Sequence, residues 1–220
     1  MKEDSALLID LRLEGKSAVF FGGGRIAERK VRKLLERGAQ ITVVSRRFTE
    51  GLLELANRGK IELVEADLDK EASVIPDRVS GAGVVITAMD SPKLNARIAQ
   101  AARDEGVLVC AVDMPALSDF YFPAVACMGS IRVGICTDGK SPLMSRLLRE
   151  RIERVLTKED SLQVELQHYV RGLAKERVHE SELRREILYE IAGDPEIKRL
   201  LLEDKLEEAK KLARKTVERV

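Results

Sequence analysis

The sequence predicts an α/β protein: a parallel sheet with helical crossovers, followed by a small β-hairpin and a helical second part. Three observations predict it. Up to Val112, short apolar runs alternate with stretches of helical periodicity, and strands joined by helices pack as a parallel, doubly wound sheet. The first apolar run stops at Gly22-Gly23-Gly24, which opens a helix. After Asp113 the alternation ends: two apolar runs flank Gly129-Ser130, and from Ser141 onward the chain is helical and highly charged.

Each element has a local reason. Ser17–Phe21 is an apolar run of strand length. From Ile26, residues Ala27, Val31, Leu34 and Leu35 share one helical face, with Arg29, Lys30, Arg32, Lys33 and Glu36 opposite. Gly38 suits the left-handed position that ends a helix. Residues 41–44, 61–64, 84–88 and 107–112 read as further strands, and 52–58 and 95–105 as helices, the second on an Ile98/Ala101/Ala102 face. Residues 120–128 and 131–137 pair as an antiparallel hairpin. Ser141-Pro142 starts a helix, serine as N-cap and proline at the first helical position. Leu143, Leu147, Leu148, Ile152 and Val155 are its expected buried face. Asp194-Pro195 repeats the cap, and Leu202, Leu206, Ala209, Ala213 and Val217 form a helical stripe. Two domains are expected, residues 1–114 and 115–220.

Composition narrows the function classes. The 220 residues suffice to bury a sizeable core, and 45% hydrophobic with 34% charged residues fits a soluble, helix-rich globular protein. With 38 basic against 37 acidic residues the net charge is +1, so no nucleic-acid or membrane partner is expected. No run approaches the roughly 18 apolar residues that span a bilayer, and Met1-Lys2-Glu3-Asp4 lacks a signal-peptide pattern. Cys110, Cys127 and Cys136 are odd in number without C-x-x-C spacing, which suits strand residues in a reducing, cytoplasmic setting. His168 and His179, if on one helix, lie about 16 Å apart and cannot hold one ion together; they read as surface residues, and no metal site is expected.

The glycine turn carries the first functional signal. Gly22-Gly23-Gly24-Arg25-Ile26-Ala27 matches G-x-G-x-x-A. The first glycine permits the tight turn, the next lets backbone approach a pyrophosphate, and Ala27 lets the helix pack on the strand. The helix N-terminus then offers unpaired N–H groups to phosphates. Its place between an apolar strand and an amphipathic helix makes it a dinucleotide site rather than a bare turn. At the second strand's tip, where an acid would select NAD, stands Ser45-Arg46-Arg47. Two arginines suit a 2′-phosphate, so local chemistry leans to NADP or to tolerance of both; a solvated basic loop is the plainer alternative.

Ligands of open α/β sheets lie beyond the carboxyl ends of the strands. Thr87 and Ala88 close the fourth predicted strand and should border the nicotinamide. Asp113 closes the fifth, placed to take a proton as a hydride leaves. It could equally cap the following turn.

The run Ala18 to Lys30 resembles the signature V-G-G-G-x-V-A-x-R-K of the precorrin-2 dehydrogenase/sirohydrochlorin ferrochelatase family, which includes the N-terminal module of siroheme synthase. Val112-Asp113-Met114-Pro115, then Phe120 and Phe122-Pro123-Ala124, then Thr137-Asp138-Gly139-Lys140-Ser141-Pro142 and Ser145-Arg146-Leu147-Leu148-Arg149-Glu150 agree with it, in order, over residues 6–156. The resemblance implies NAD-dependent oxidation of precorrin-2 to sirohydrochlorin on the route to siroheme, with Fe²⁺ inserted in bifunctional members. It implies Asp113 as the catalytic aspartate, cofactor contacts at Arg25, Ile26, Arg46 and Arg47, and a homodimer joined through the second domains. Ser141 matches a serine on the substrate side, although its N-cap role already explains it. A carboxylate-rich tetrapyrrole fits Lys140 and Arg146 beside that helix N-terminus. The chain departs from the family at Cys110-Ala111, where an Asn is common, and at Met89, where Thr or Asn often stands. No methyltransferase domain follows, so precorrin-2 is expected from another protein. From residue 157 onward the chain matches nothing specific. The competing reading is a nicotinamide-sensing module without tetrapyrrole chemistry; a dehydrogenase for a small polar substrate lacks a hydride-transfer pair that could be placed.

Overall fold

The structure, a computed structural model, describes residues 6–71, 73–112 and 114–219. The chain divides into two compact units, Met1–Phe122 and Pro123–Val220.

In the first unit β1 (Ser17–Phe21), β2 (Gln40–Ser45), β3 (Glu62–Glu65), β4 (Val84–Thr87) and β5 (Leu108–Ala111) form a sheet of order β3-β2-β1-β4-β5. All of its pairings are parallel. The chain winds outward from β1 to β3 and then returns to β1's other side, so the strand order reverses between β1 and β4. Side chains alternate across the pleat. On β1, Ala18 and Phe20 join Ala27, Val31, Leu34 and Leu52 from α1 (Arg25–Leu35) and α2 (Glu50–Asn57). Val19 and Phe21 face the other way, against Ile75 and Val79 of α3 (Val74–Val79) and Leu94, Ile98 and Ala102 of α4 (Pro92–Asp104). Both faces are therefore covered, as a parallel sheet requires.

Two of these helices extend the sequence reading. Helix α3 shows no periodicity in the sequence, because six residues are too few to carry it. Its Pro76 is tolerated in the first turn, where an N–H has no helical partner. Helix α4 begins at Pro92, three residues ahead of the predicted start at 95. Ser91 caps it by accepting the Leu94 N–H, the same Ser-Pro device expected at 141–142. Residues 115–122 pack with this unit. Asp119 accepts the Val109 N–H at 3.0 Å, and Phe120 and Phe122, in edge contact at 5.6 Å, pack beside the α1 side of the core.

In the second unit β6 (Ala124–Met128) and β7 (Ile131–Ile135) pair antiparallel around Gly129-Ser130. The hairpin starts four residues later than the apolar run, since Phe120 and Phe122 serve the first unit. Helix α5 (Pro142–Val155) follows. Its expected buried face is only partly buried among the described residues: Leu143 is 64% exposed, Leu147 45% and Val155 71%, while Leu148 and Ile152 are half-buried. Of the hairpin and α5 together, Ala126 alone is fully buried among the described residues.

The remaining helices, α6 (Lys158–Arg177), α7 (Ser181–Gly193), α8 (Pro195–Leu202) and α9 (Leu206–Glu218), enclose a core of their own, including Leu166, Val170, Ile187, Ile191, Ile197 and Leu201. Ala209, Ala213 and Val217 join that core as the stripe predicts, but Leu202 ends α8 and is 65% exposed. Helix α6 stops at Arg177, so His168 and His179 do not share a helix; both are exposed. No helix among the described residues is long and apolar enough to cross a membrane.

Candidate active site

The glycine turn sits at the carboxyl end of β1, where the strand order reverses, the place at which open α/β sheets bind ligands. Its three glycines have different physical reasons. Gly22 has φ +116, and a Cβ there would lie 2.6 Å from the Ala88 carbonyl oxygen. A Cβ on Gly23 would overlap the Arg47 carbonyl oxygen. Around Gly24, by contrast, a Cβ would meet nothing within 4 Å. Gly24 is the N-cap of α1 and makes no side-chain cap bond, leaving first-turn N–H groups without an intrahelical partner. Two glycines thus draw the turn against its neighbours, and the third keeps space open before a helix N-terminus. Such a cradle suits a diphosphate. Arg25 and Ile26, next in the chain, are exposed.

Beside this turn, the loop after β2 is fixed from below. The Thr49 N–H donates to the Gly23 carbonyl at 3.0 Å, and the Thr49 hydroxyl donates to Glu28 Oε2 at 2.6 Å. Arg32 pairs with the other Glu28 oxygen at 2.7 Å. The Thr49 hydroxyl first, and Arg32 after it, hold the Glu28 carboxyl below its ordinary range. Ser45 Oγ accepts the Arg47 N–H at 3.5 Å. Arg46 and Arg47 are exposed and enter no ion pair among the described residues.

At the end of β4, Thr87 is fully buried, and its hydroxyl donates to Asn95 Oδ1 at 2.5 Å. Ala88 and Met89 are half-buried. Asn95, read from sequence only as the start of a helix, is 4% exposed and bonds to Met89 twice. Its one sequence signal is a polar residue on the otherwise apolar face of α4. Asp113 lies outside the described residues. On either side of it, the Val112 N–H donates to the Thr87 carbonyl at 2.9 Å and the Met114 N–H to the Ala111 carbonyl at 3.1 Å. The Ser118 hydroxyl accepts the Ala111 N–H at 3.0 Å. Cys110 is buried among apolar side chains, and burial pushes its thiol up against the pull of the Lys30 charge, which favours the neutral thiol.

In the second unit, Thr137-Asp138-Gly139-Lys140 forms a tight turn. The Lys140 N–H donates to the Thr137 carbonyl at 2.8 Å, and both central residues are left-handed, at φ +50 and +74. This is the geometry that Asp-Gly favours. The Ser141 N–H donates to Thr137 Oγ1 at 3.3 Å, and Ser141 Oγ accepts the Met144 N–H at 3.2 Å. Ser141 is thus the cap its sequence predicts. Lys140 is exposed, and Arg146 is paired with Glu150 at 3.0 Å. Among the described residues no group of three or more His, Cys, Asp or Glu is gathered as metal ligands.

A family model described as putative NAD(P)-binding matches residues 9–124, more than half of the chain. Precorrin-2 dehydrogenase of Methanosarcina barkeri is 36% identical over 191 residues, 86% of this chain and 84% of that protein. This chain belongs to the precorrin-2 dehydrogenase family. Siroheme synthase 1 of Aeromonas salmonicida is 37% identical over 150 residues, 68% of this chain but 31% of that longer protein. Among solved structures, SirC, a precorrin-2 dehydrogenase, superposes with a TM-score of 0.73 over 96% of this chain and 100% of its own, at 22% identity, which establishes the shared fold. The family membership accounts for the glycine turn as a nicotinamide-dinucleotide site and agrees with the parallel sheet, hairpin and helices seen here.

Proposed function

We propose that this chain oxidises precorrin-2 to sirohydrochlorin with NAD⁺ as hydride acceptor. The observation that carries this reading is the open cradle at Gly24, set at the switch point of a chain 36% identical to a precorrin-2 dehydrogenase over most of its length. Bound nicotinamide supplies the acceptor for the hydride. The chain's residues hold and orient. The α1 N-terminus takes the diphosphate, Gly22, Gly23, Arg25 and Ile26 line it, and Ala88 borders the nicotinamide, with Thr87 supporting from beneath. Ser45, Arg46 and Arg47 meet the adenosine end, where the two exposed guanidinium groups, in no ion pair among the described residues, also tolerate the 2′-phosphate of NADP⁺. As the C–H electron pair leaves with the hydride, Asp113 takes the proton that the tetrapyrrole releases.

Lys140, Arg146 and the α5 N-terminus capped by Ser141 receive the substrate's carboxylates. A second copy of the chain covers the apolar side of α5, whose Leu143, Leu147 and Val155 are exposed in one copy. The free cysteines suit a reducing cytoplasm.

An anaerobic assay of precorrin-2 with NAD⁺ or NADP⁺, with and without Fe²⁺, tests the reading. Wild type is expected to form one NADH per precorrin-2, and Asp113→Ala to lose at least about 100-fold in kcat while its NADH affinity changes less than about twofold. Full turnover by Asp113→Ala would remove that residue from the chemistry. A wild type that binds NADH and oxidises no tetrapyrrole would be a nicotinamide-sensing module instead. Siroheme formed on adding Fe²⁺ would add iron insertion to the activity.

A further inference from the structure

We propose that Asn95 is a positioning residue for this oxidation, tying the turn after β4 to the turn after β5. The inference rests on the dehydrogenase reading above. Asn95 projects from the first turns of α4 to the carboxyl end of β4, 4% exposed. Its Oδ1 accepts the Thr87 hydroxyl at 2.5 Å and the Met89 N–H at 3.2 Å. Its Nδ2 donates to the Met89 carbonyl at 2.9 Å and lies 3.7 Å from Met114 Sδ. These four contacts use every donor and acceptor of the amide.

The placement gives the saturation its meaning. Residues 87–89 form the wall against Gly22: the Ala88 N–H donates to the Phe21 carbonyl at 2.9 Å, and a Cβ on Gly22 would lie 2.6 Å from the Ala88 carbonyl oxygen. Met114 directly follows Asp113 in the chain. Asn95 therefore holds the cofactor-side wall by both polar groups of one peptide residue while touching the segment that carries the proposed base. Hydride and proton transfer demand reacting groups held to within a fraction of an ångström. A buried amide with no spare valence resists the small slips that would separate them.

Asn95→Asp is the informative variant, because it keeps shape and both acceptors. Ionised, it loses the two donated contacts and sets a negative charge against the Met89 carbonyl. Burial raises the acid's pKa, and the protonated form can donate to Met89 again. At about pH 8 the variant is expected to bind NADH about tenfold more weakly and to turn over about tenfold more slowly than wild type; at about pH 6 both defects shrink to within about threefold. A purely structural role would show defects that follow the melting temperature, or that stay constant with pH; either result overturns the proposal, as does wild-type behaviour throughout. Should Asn95→Asp not fold, Thr87→Val removes the hydroxyl that donates to the same amide and is expected to weaken NADH binding about threefold in a protein that stays folded with slightly lower melting. Unchanged affinity in a folded Thr87→Val protein would then overturn the proposal. A wild type that binds NADH but leaves precorrin-2 unoxidised would defeat the dehydrogenase reading alone, since the NADH titrations still judge Asn95.

Discussion

Gly22 and Gly24 stand two residues apart and are glycines for opposite reasons, which separates folding from ligand binding at the level of single atoms. Gly22 has no room for a side chain and sits at a left-handed φ; Gly24 has room and an ordinary φ of −83. Gly22→Ala is therefore expected to lower stability by about 2 kcal/mol through strain and overlap with the Ala88 carbonyl. Gly24→Ala is expected to change stability by less than about 0.5 kcal/mol, yet to weaken NADH binding at least about tenfold by filling the cradle. Thermal unfolding paired with fluorescence titration of NADH checks both, and tight binding by Gly24→Ala would show that the diphosphate passes elsewhere. The motif's spacing in the sequence pointed to this turn, but not to which glycine serves which purpose. That depends on Ala88 and Arg47, strands away.

Between elements, the Glu28 carboxylate clasps α1 to α2. It accepts from the Thr49 hydroxyl and pairs with Arg32, and a Cβ on Gly51 would overlap it. The clasp anchors the loop that carries Arg46 and Arg47. Folding lowers the Glu28 pKa from its ordinary 4.5, so the stabilisation is full above that value and is lost as pH falls through the depressed one. Glu28→Gln is expected to cost about 1 kcal/mol at neutral pH, with the gap to wild type closing below the ordinary carboxylate range. Urea unfolding of both proteins from neutral to acid pH measures this; a gap that persists unchanged in acid would mean that the ionised carboxylate is not the stabilising form. Element positions were largely legible, because apolar periodicity and Ser-Pro caps are local signals. Helix α3 was not, being too short, and neither was Asn95, whose polar side chain looks misplaced until the strand ends around it are known.

For the molecule as a whole, the contrast between its helical parts is the informative feature. Helices α6 to α9 bury a shared core inside one chain, whereas α5 leaves Leu143, Leu147 and Val155 in solvent. Periodicity alone marks both as amphipathic. On the proposed homodimer, wild type should sediment at twice the chain mass. Leu143→Glu with Leu147→Glu should sediment as a monomer of unchanged helix content, since charges at a buried apolar contact cost several kcal/mol. A doubly substituted protein that stays dimeric would place the contact elsewhere.

By itself the sequence determined the five strands of the first unit and most of its helices, the parallel sheet, the dinucleotide turn and the caps at Ser141 and Asp194, since each is written in residues close together along the chain. Tertiary structure decided what depends on distant neighbours. Thr87 is buried against Asn95, Phe120 and Phe122 pack with the first unit, and Leu143, Leu147 and Val155 on α5's apolar side stay exposed among the described residues. Periodicity says which side of an element is apolar; only the surrounding atoms say what, if anything, meets it.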